Sequence, residues 1–383
     1  MGSLKTFDRS LPLSGETQHL SWFDSASVVR QLLEQLDIII DGNRAWDIQV
    51  LHPLFYKRVL TRGSLGLGES YMEGWWECEA LDQLFAKLSR GLMEGRLKAP
   101  FYLSWWTARA LLFNLQNKAH SFHNVRRHYD IGNDFYQAML DKHMLYSCAY
   151  WKNAINLDDA QEAKLEQICQ KLRLKPGMRI LDVGCGWGGL VKYAAEHYGV
   201  RAVGITVSRH QYDWACKSCM DLPVEIRLQD YRDVQGEFDR IVSVGMFEHV
   251  GPKNYLTFMK AMHACLEAEG LFLLRTIAGH QSILCFDPWM DKYIFPGAVI
   301  PSIRQVGGAI EGLFIMEEWC NTGMDYDKTL MSWFANFNKN WYRFSRPYGE
   351  KFYRMWKYYL LSCAGLFRSR KQQLWTMLLS KPF

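Results

Sequence analysis

The residues best placed to do chemistry begin with a run of glycines. Arg179-Ile-Leu-Asp-Val183 is an apolar strand pattern behind the turn signal Pro176-Gly177, and it runs into Gly184-Cys-Gly-Trp-Gly-Gly189. Glycine lets the backbone approach a ligand where a Cβ would clash. A helix opening at the same loop turns its free N–H groups toward that ligand. The spacing Gly184-x-Gly186-x-x-Gly189 also satisfies the dinucleotide fingerprint, which should bring an acid about 20 residues further on to grip a ribose. The second strand, Ala202-Val-Gly-Ile205, ends instead at Thr206-Val-Ser-Arg-His-Gln211, without a carboxylate. The loop therefore predicts an adenosine-type cofactor and argues against a nicotinamide enzyme. Glu248, just past the strand pattern Arg240-Ile-Val-Ser-Val244, should stand at the same crevice, because open α/β sheets bind ligands at the carboxyl ends of their strands. Cys216-Lys-Ser-Cys219 has no second pair and lies in a helical stretch, so it reads as structural and no metal site is predicted.

The elements that must position these residues alternate from about residue 160 onward. The pattern reads helix 161–172, strand 178–183, helix 187–197, strand 200–205, helix 208–219, strands 223–227 and 238–244, helix 253–267 and strand 270–276. That alternation predicts a doubly wound α/β domain with a mostly parallel sheet, followed by an aromatic-rich tail over 280–383. Ahead of it, apolar residues recur at helical spacing over 26–36, a short β segment covers 47–51, and a helical pattern runs through 55–60. The four glycines of Arg62–Trp76 predict a loop. The division expected is a small N-terminal domain (1–95), a basic and aromatic linker (96–120) and a catalytic domain (121–383).

Composition narrows the classes. At 383 residues the chain exceeds what one core usually organises, and 22% charge with half the residues apolar describes a folded protein. A net charge of +5 is too weak to argue for nucleic acid. Arg96, Lys98, Arg109, Lys118, Arg126 and Arg127, interleaved with Phe101, Trp105 and Trp106, suit either an anionic lipid surface or a solvated linker. No signal peptide or spanning apolar run is evident, and the scattered cysteines fit a reducing cytoplasm.

Leu-Asp-x-Gly-Cys-Gly-x-Gly resembles the first motif of class I S-adenosylmethionine-dependent methyltransferases, a Rossmann-like fold. Such enzymes tend to carry an acid where this chain has Thr206, which narrows the family. Over residues 28–380 the sequence resembles the cyclopropane-fatty-acyl-phospholipid synthases, in the long bacterial form with an N-terminal domain. The motifs that carry this are Gly63–Trp76, His128–Phe135, Tyr146-Ser-Cys-Ala-Tyr-Trp151, Ile180–Gly188, Gln229-Asp-Tyr-Arg-Asp233, Ser243–Gly251, Lys292-Tyr-Ile-Phe-Pro296, Asp325-Tyr-Asp327 and Cys363-Ala-Gly365.

The resemblance implies that a methylene from S-adenosylmethionine is added across a cis double bond of a fatty acyl chain in membrane phospholipid, through a carbocation deprotonated by bound bicarbonate. It implies Cys148, Glu248, the backbone at Ile277 and Tyr326 as bicarbonate ligands, and Cys363 as a further active-site residue. The family's usual His is here Arg275, which cannot relay a proton but can clamp an anion through its planar fork; His280 is the alternative should Arg275 point elsewhere. Tyr146 and Ser147 would meet the methionine end of the cofactor. Ile180, Leu181, Asp182, Val183, Gly184, Cys185, Gly186, Trp187 and Gly188, with Thr206, Val207, Ser208 and Gln211, would hold its methionine and ribose, and Gln229, Tyr231 and Arg232 would lie by the adenine. A homodimer bound peripherally to the inner face of the cytoplasmic membrane is the implied setting. Competing readings keep the fold but yield a methylated or hydroxylated acyl chain or an N-methylated small amine, or leave a lipid-surface protein with a decayed site.

Overall fold

The computed structural model describes residues 22–96 and 131–382. The basic, aromatic stretch apart from Arg96, the first part of the His128–Phe135 motif and most of the 96–120 linker lie outside them. Among the described residues, the N-terminal part holds α1 (Trp22–Glu34), the two-residue strands β1 (Gln49–Val50) and β2 (Trp76–Glu77) around α2 (Phe55–Met72), and α3 (Leu81–Met93). Residues 62–72 of the expected loop are instead the second half of α2, which breaks only at Gly63 (φ 49°, ψ −128°), and 73–75 turn into β2. The glycines serve packing there. A Cβ on Gly68 would sit 2.3 Å from the Trp289 ring, so the helix can meet that indole only without a side chain.

After α4 (Asn133–Met139), α5 (Leu157–Lys171) starts where Asn156 accepts the N–H of Asp159, with Asp158 and Asp159 in its first turn. Strand β3 (Arg179–Val183) and helix α6 (Gly189–Tyr198) follow, then β4 (Arg201–Thr206), α7 (Arg209–Ser218), β5 (Val224–Leu228), β6 (Phe238–Val244), α8 (Tyr255–Cys265) and β7 (Leu266–Gly279). The aromatic tail folds as α9 (Pro288–Tyr293), α10 (Ile303–Ile310), β8 (Ile315–Asn321), α11 (Met324–Asn340), α12 (Ser345–Arg368) and β9 (Gln372–Ser380).

The sheet order is β5-β4-β3-β6-β7-β9-β8, parallel from β5 to β7 and antiparallel at β9 and β8. Its order reverses beside β3, which places the ligand crevice at the carboxyl ends of β3 and β6. Apolar side chains cover both faces. Leu181, Ile241, Phe258 and Phe272 lie on one side, and Ile180, Val242, Leu165 and Val191 on the other. A third apolar cluster joins α1–α3 to α11 and α12. Contact there is close: a Cβ on Gly365 would lie 2.4 Å from the Asp82 carbonyl. Arg368 ties Asp82 of α3 to Asp327 of α11. Among the described residues, no helix is long and apolar enough to cross a membrane.

Candidate active site

Two cavities open side by side at the carboxyl edge of the sheet. The first, about 170 Å³, is built on the glycine loop. Gly184, Gly186 and Gly188 all carry positive φ (89°, 55° and 86°), which L side chains resist. Asp182, Val183, Gly184, Cys185, Gly186 and Trp187 form its floor, with Thr206, Val207 and Gln211 from the end of β4, Gln229 and Tyr231 beyond β5, and Tyr146 and Ser147 across the opening. Thr206 donates its hydroxyl to Gln211 Oε1 at 2.8 Å, which fixes both polar groups at the wall.

Other residues expected at the cofactor stand off this wall. Ile180 and Leu181 are buried on opposite faces of the sheet. Gly188 caps α6 and faces Ala215 of α7, Ser208 caps α7, and the Arg232 guanidinium is engaged by Asp230 and the Tyr231 ring. Lys164, His249 and Met246 line the cavity without having been singled out in the sequence.

The second cavity gathers every residue expected to act on the substrate. Cys148, Glu248, Arg275, Ile277, Tyr326 and Cys363 all line it, with Phe286, Phe295, Tyr359 and Phe367 among its apolar walls. They come from a loop before α5, the turn after β6, the middle of β7, the start of α11 and the body of α12. Tyr146, Ser147, Val244, Gly245 and His249 line both cavities, so these residues form the passage between them. His280 is not on either wall.

Arg275 is 1% exposed, and none of its three guanidinium nitrogens has a hydrogen-bond partner among the described residues. Its backbone holds the passage, because the carbonyl accepts the N–H of Gly245 at 2.9 Å. Glu248 is 5% exposed. Its Oε1 accepts the Ile277 N–H at 2.6 Å, whereas Oε2 has no partner. The Ile277 N–H is therefore already used by the protein. Burial pushes the Glu248 carboxyl up to about 7, against the pull of the Ile277 N–H. Burial also pushes the Cys148 thiol up to about 12, with Arg275 opposing, and raises the Tyr326 phenol well above its ordinary value. Both groups are neutral at physiological pH. Burial lowers His249 to about 4, so a neutral imidazole faces the passage. The Tyr146 and Tyr359 hydroxyls meet at 2.7 Å and brace the outer wall.

A parallel sheet that reverses order at a glycine loop and is closed by an antiparallel pair is the fold of class I S-adenosylmethionine-dependent methyltransferases. Residues 116–377 match the model of the mycolic acid cyclopropane synthetase family, and the chain belongs to that family. It is 52% identical over 354 residues to a cyclopropane-fatty-acyl-phospholipid synthase from Escherichia coli, covering 92% of this chain and 93% of that one. Among solved structures, a cyclopropane synthase from Mycobacterium tuberculosis superposes with a TM-score of 0.65 at 31% identity, over 68% of this chain and 98% of that one. A mycolic acid cyclopropane synthase complexed with SAH and CTAB gives 0.64 at 33% identity, with the same shares covered.

Proposed function

We propose that the protein is a cyclopropane-fatty-acyl-phospholipid synthase that uses S-adenosylmethionine as methylene donor and bicarbonate as base. The sulfonium methyl bonds to one alkene carbon of an acyl chain as its bond to sulfur breaks. The resulting cation loses a proton from the new methyl and closes to the ring, leaving S-adenosylhomocysteine and a proton.

The observation that carries this reading is the pairing of a glycine-loop cavity with an aromatic cavity in which a buried guanidinium and a buried carboxylate oxygen have no protein partner. A buried, unpaired cation is costly unless an anion meets it, and the donor set of Arg275 fits a small planar oxyanion through two parallel hydrogen bonds. Bicarbonate, when bound, would supply the base that removes the methyl proton. Glu248 Oε2 is free to accept the hydroxyl of such an anion and so orient it. Tyr326, neutral, offers a hydrogen bond without adding charge, whereas the Cys148 thiol, which donates to the Ala149 carbonyl at 3.2 Å, would have to exchange that partner for the anion. An anion about 4 Å from the substrate cation contributes on the order of 4 kcal/mol at an effective dielectric near 20. The walls Phe286, Phe295, Tyr359 and Phe367 add aromatic faces to a developing cation and exclude the water that would trap it as an alcohol.

The setting proposed is a peripheral homodimer at the inner face of the cytoplasmic membrane, reached by residues 1–95 with the 96–120 linker, and residues 121–383 carrying catalysis. The test is expression in a host lacking cyclopropane lipids, with mass spectrometry of its fatty acid methyl esters. Gain of one CH2 with loss of unsaturation supports the reading. Retained unsaturation or added oxygen would replace it with simple methylation or hydroxylation of the acyl chain.

A further inference from the structure

Lys164 is a buried cation that neither the glycine loop nor the acyl cavity accounts for. It sits on α5, is 1% exposed, and lines the cofactor cavity. Its Nζ donates to Ser147 Oγ at 2.9 Å. One turn earlier, the Gln161 amide donates to the carbonyls of Leu145 and Ser147 at 3.1 and 2.9 Å. This face of α5 therefore grips the strip that carries Tyr146 and Ser147 across the opening.

The carboxylates that act on Lys164 do so through the field. Asp141 has its two oxygens committed to the N–H groups of Leu145 and His143, at 3.0 and 2.8 Å. Asp182 lines the same cavity, and burial pushes its carboxyl up to about 7 with the Lys164 charge opposing. Among the described residues, a hydroxyl is thus the hydrogen-bond partner of a fully buried ammonium. Burial pushes that ammonium down to about 7, and the Arg275 charge pushes the same way. An anion arriving from the cavity would oppose that shift through its charge and hold the ammonium protonated.

We propose that Lys164, with Ser147, receives the α-carboxylate at the methionine end of the cofactor. The inference rests on the S-adenosylmethionine reading above. That end of the cofactor is a zwitterion, and the cavity matches it with a cation on α5 and a carboxylate, Asp182, on β3 for the adjacent ammonium. Holding the carboxylate on α5 would also fix the sulfonium against the passage, because Ser147 and Tyr146 border both cavities.

The test compares binding of S-adenosylhomocysteine with that of its decarboxylated counterpart by calorimetry, in the full chain and in Lys164→Met. The full chain should prefer the carboxylate ligand by about tenfold to a hundredfold, the range of a charge-assisted hydrogen bond. Lys164→Met should erase that preference while leaving the decarboxylated ligand's affinity within about threefold. Equal affinity of the full chain for both ligands overturns the proposal without any variant. A preference that survives in Lys164→Met overturns it too, as does equal weakening of both ligands, which would mark Lys164 as a structural support of the strip. Failure of the full chain to bind either ligand would sink the cofactor reading and this inference together.

Discussion

The two cavities handle their polar groups in opposite ways. Around the glycine loop, most polar side chains have a protein partner before any ligand arrives, Thr206 with Gln211 and Lys164 with Ser147, and the Tyr231 hydroxyl is the exception. Shape there comes from backbone, through glycines in left-handed conformations. In the acyl cavity the walls come from loop, turn, strand and helix alike, and the polar groups are left short, with three guanidinium nitrogens and a carboxylate oxygen unpartnered. On the proposed function, the first cavity serves recognition and the second the charge that appears during reaction. Preorganised groups aimed at developing charge act most strongly where water is excluded. The cost of holding them falls on the stability of the fold.

If that contrast is right, damage to the acyl cavity should separate activity from stability. Arg275→Met should lower turnover by about a hundredfold to a thousandfold, the scale of losing a preorganised charged donor. Its melting temperature should stay level or rise, because an unpaired buried charge has gone. Arg275→His should keep part of the turnover and of its bicarbonate dependence. Steady-state assays with and without added bicarbonate, beside thermal melts, check all three; unchanged turnover in the Met variant would remove Arg275 from the mechanism.

Glu248→Gln comes next, with turnover down by about a hundredfold. Stability carries the sharper sign. The folded carboxyl is held near 7 against an ordinary 4.5, so the native state binds its proton more tightly than the unfolded chain. Stability of the parent therefore falls as pH rises from 4.5 through 7, and stays lowered above it. The Gln variant should be the more stable protein well above 7, by a few kcal/mol, and the difference should close as pH drops toward 4.5. Chemical denaturation across that window measures it.

The glycine loop of the first cavity and the position of Glu248 in the second were legible in the sequence itself, and the remaining lining residues of both only through resemblance. Strand, loop and helix from Arg179 to Tyr198 are contiguous, so periodicity and glycine spacing carried the argument unaided. Cys148, Glu248, Arg275, Tyr326 and Cys363 come from separate elements, and no local pattern joins them before the chain folds. Lys164 falls inside the helix predicted over 161–172, where nothing local marks it; its burial depends on the strip at 145–148, a tertiary contact. The glycines of 62–76 misled for a related reason. Read alone they break a helix, yet Gly68 is there to admit the Trp289 ring from a segment 221 residues away. The tail beyond 280 carried no alternation, but it supplies the antiparallel edge β8 and β9 and the far wall of the acyl cavity.

Damage to the cofactor cavity should instead lower affinity and stability together. Gly184 has φ 89°, and a Cβ there would lie 2.8 Å from the Met246 side chain. Gly184→Ala adds backbone strain of about 1–3 kcal/mol, and part of it falls on the loop that meets the ligand. S-adenosylhomocysteine affinity should drop by about tenfold, with a lower melting temperature. Calorimetric titration and a melt of the same sample suffice. An Ala variant that binds normally would show that the loop's shape is not what the ligand reads.

The smallest effect expected is at Cys363. It lines the acyl cavity, and burial pushes its thiol up to about 12, so no thiolate is available at neutral pH. The thiol contributes wall volume beside Tyr326 and Tyr359, and nothing in the reaction needs a sulfur nucleophile. Cys363→Ala removes one heavy atom from a cavity wall that already borders open space, so relaxation is easy and the stability loss should be about 1 kcal/mol. Turnover should stay within about threefold of the parent. A bulky thiol adduct on the same cysteine should do far more harm, because it fills the space that the acyl chain enters. If alanine alone abolished turnover, Cys363 would be a chemical participant, and the division between a paired cofactor cavity and a charge-holding acyl cavity would need a third member.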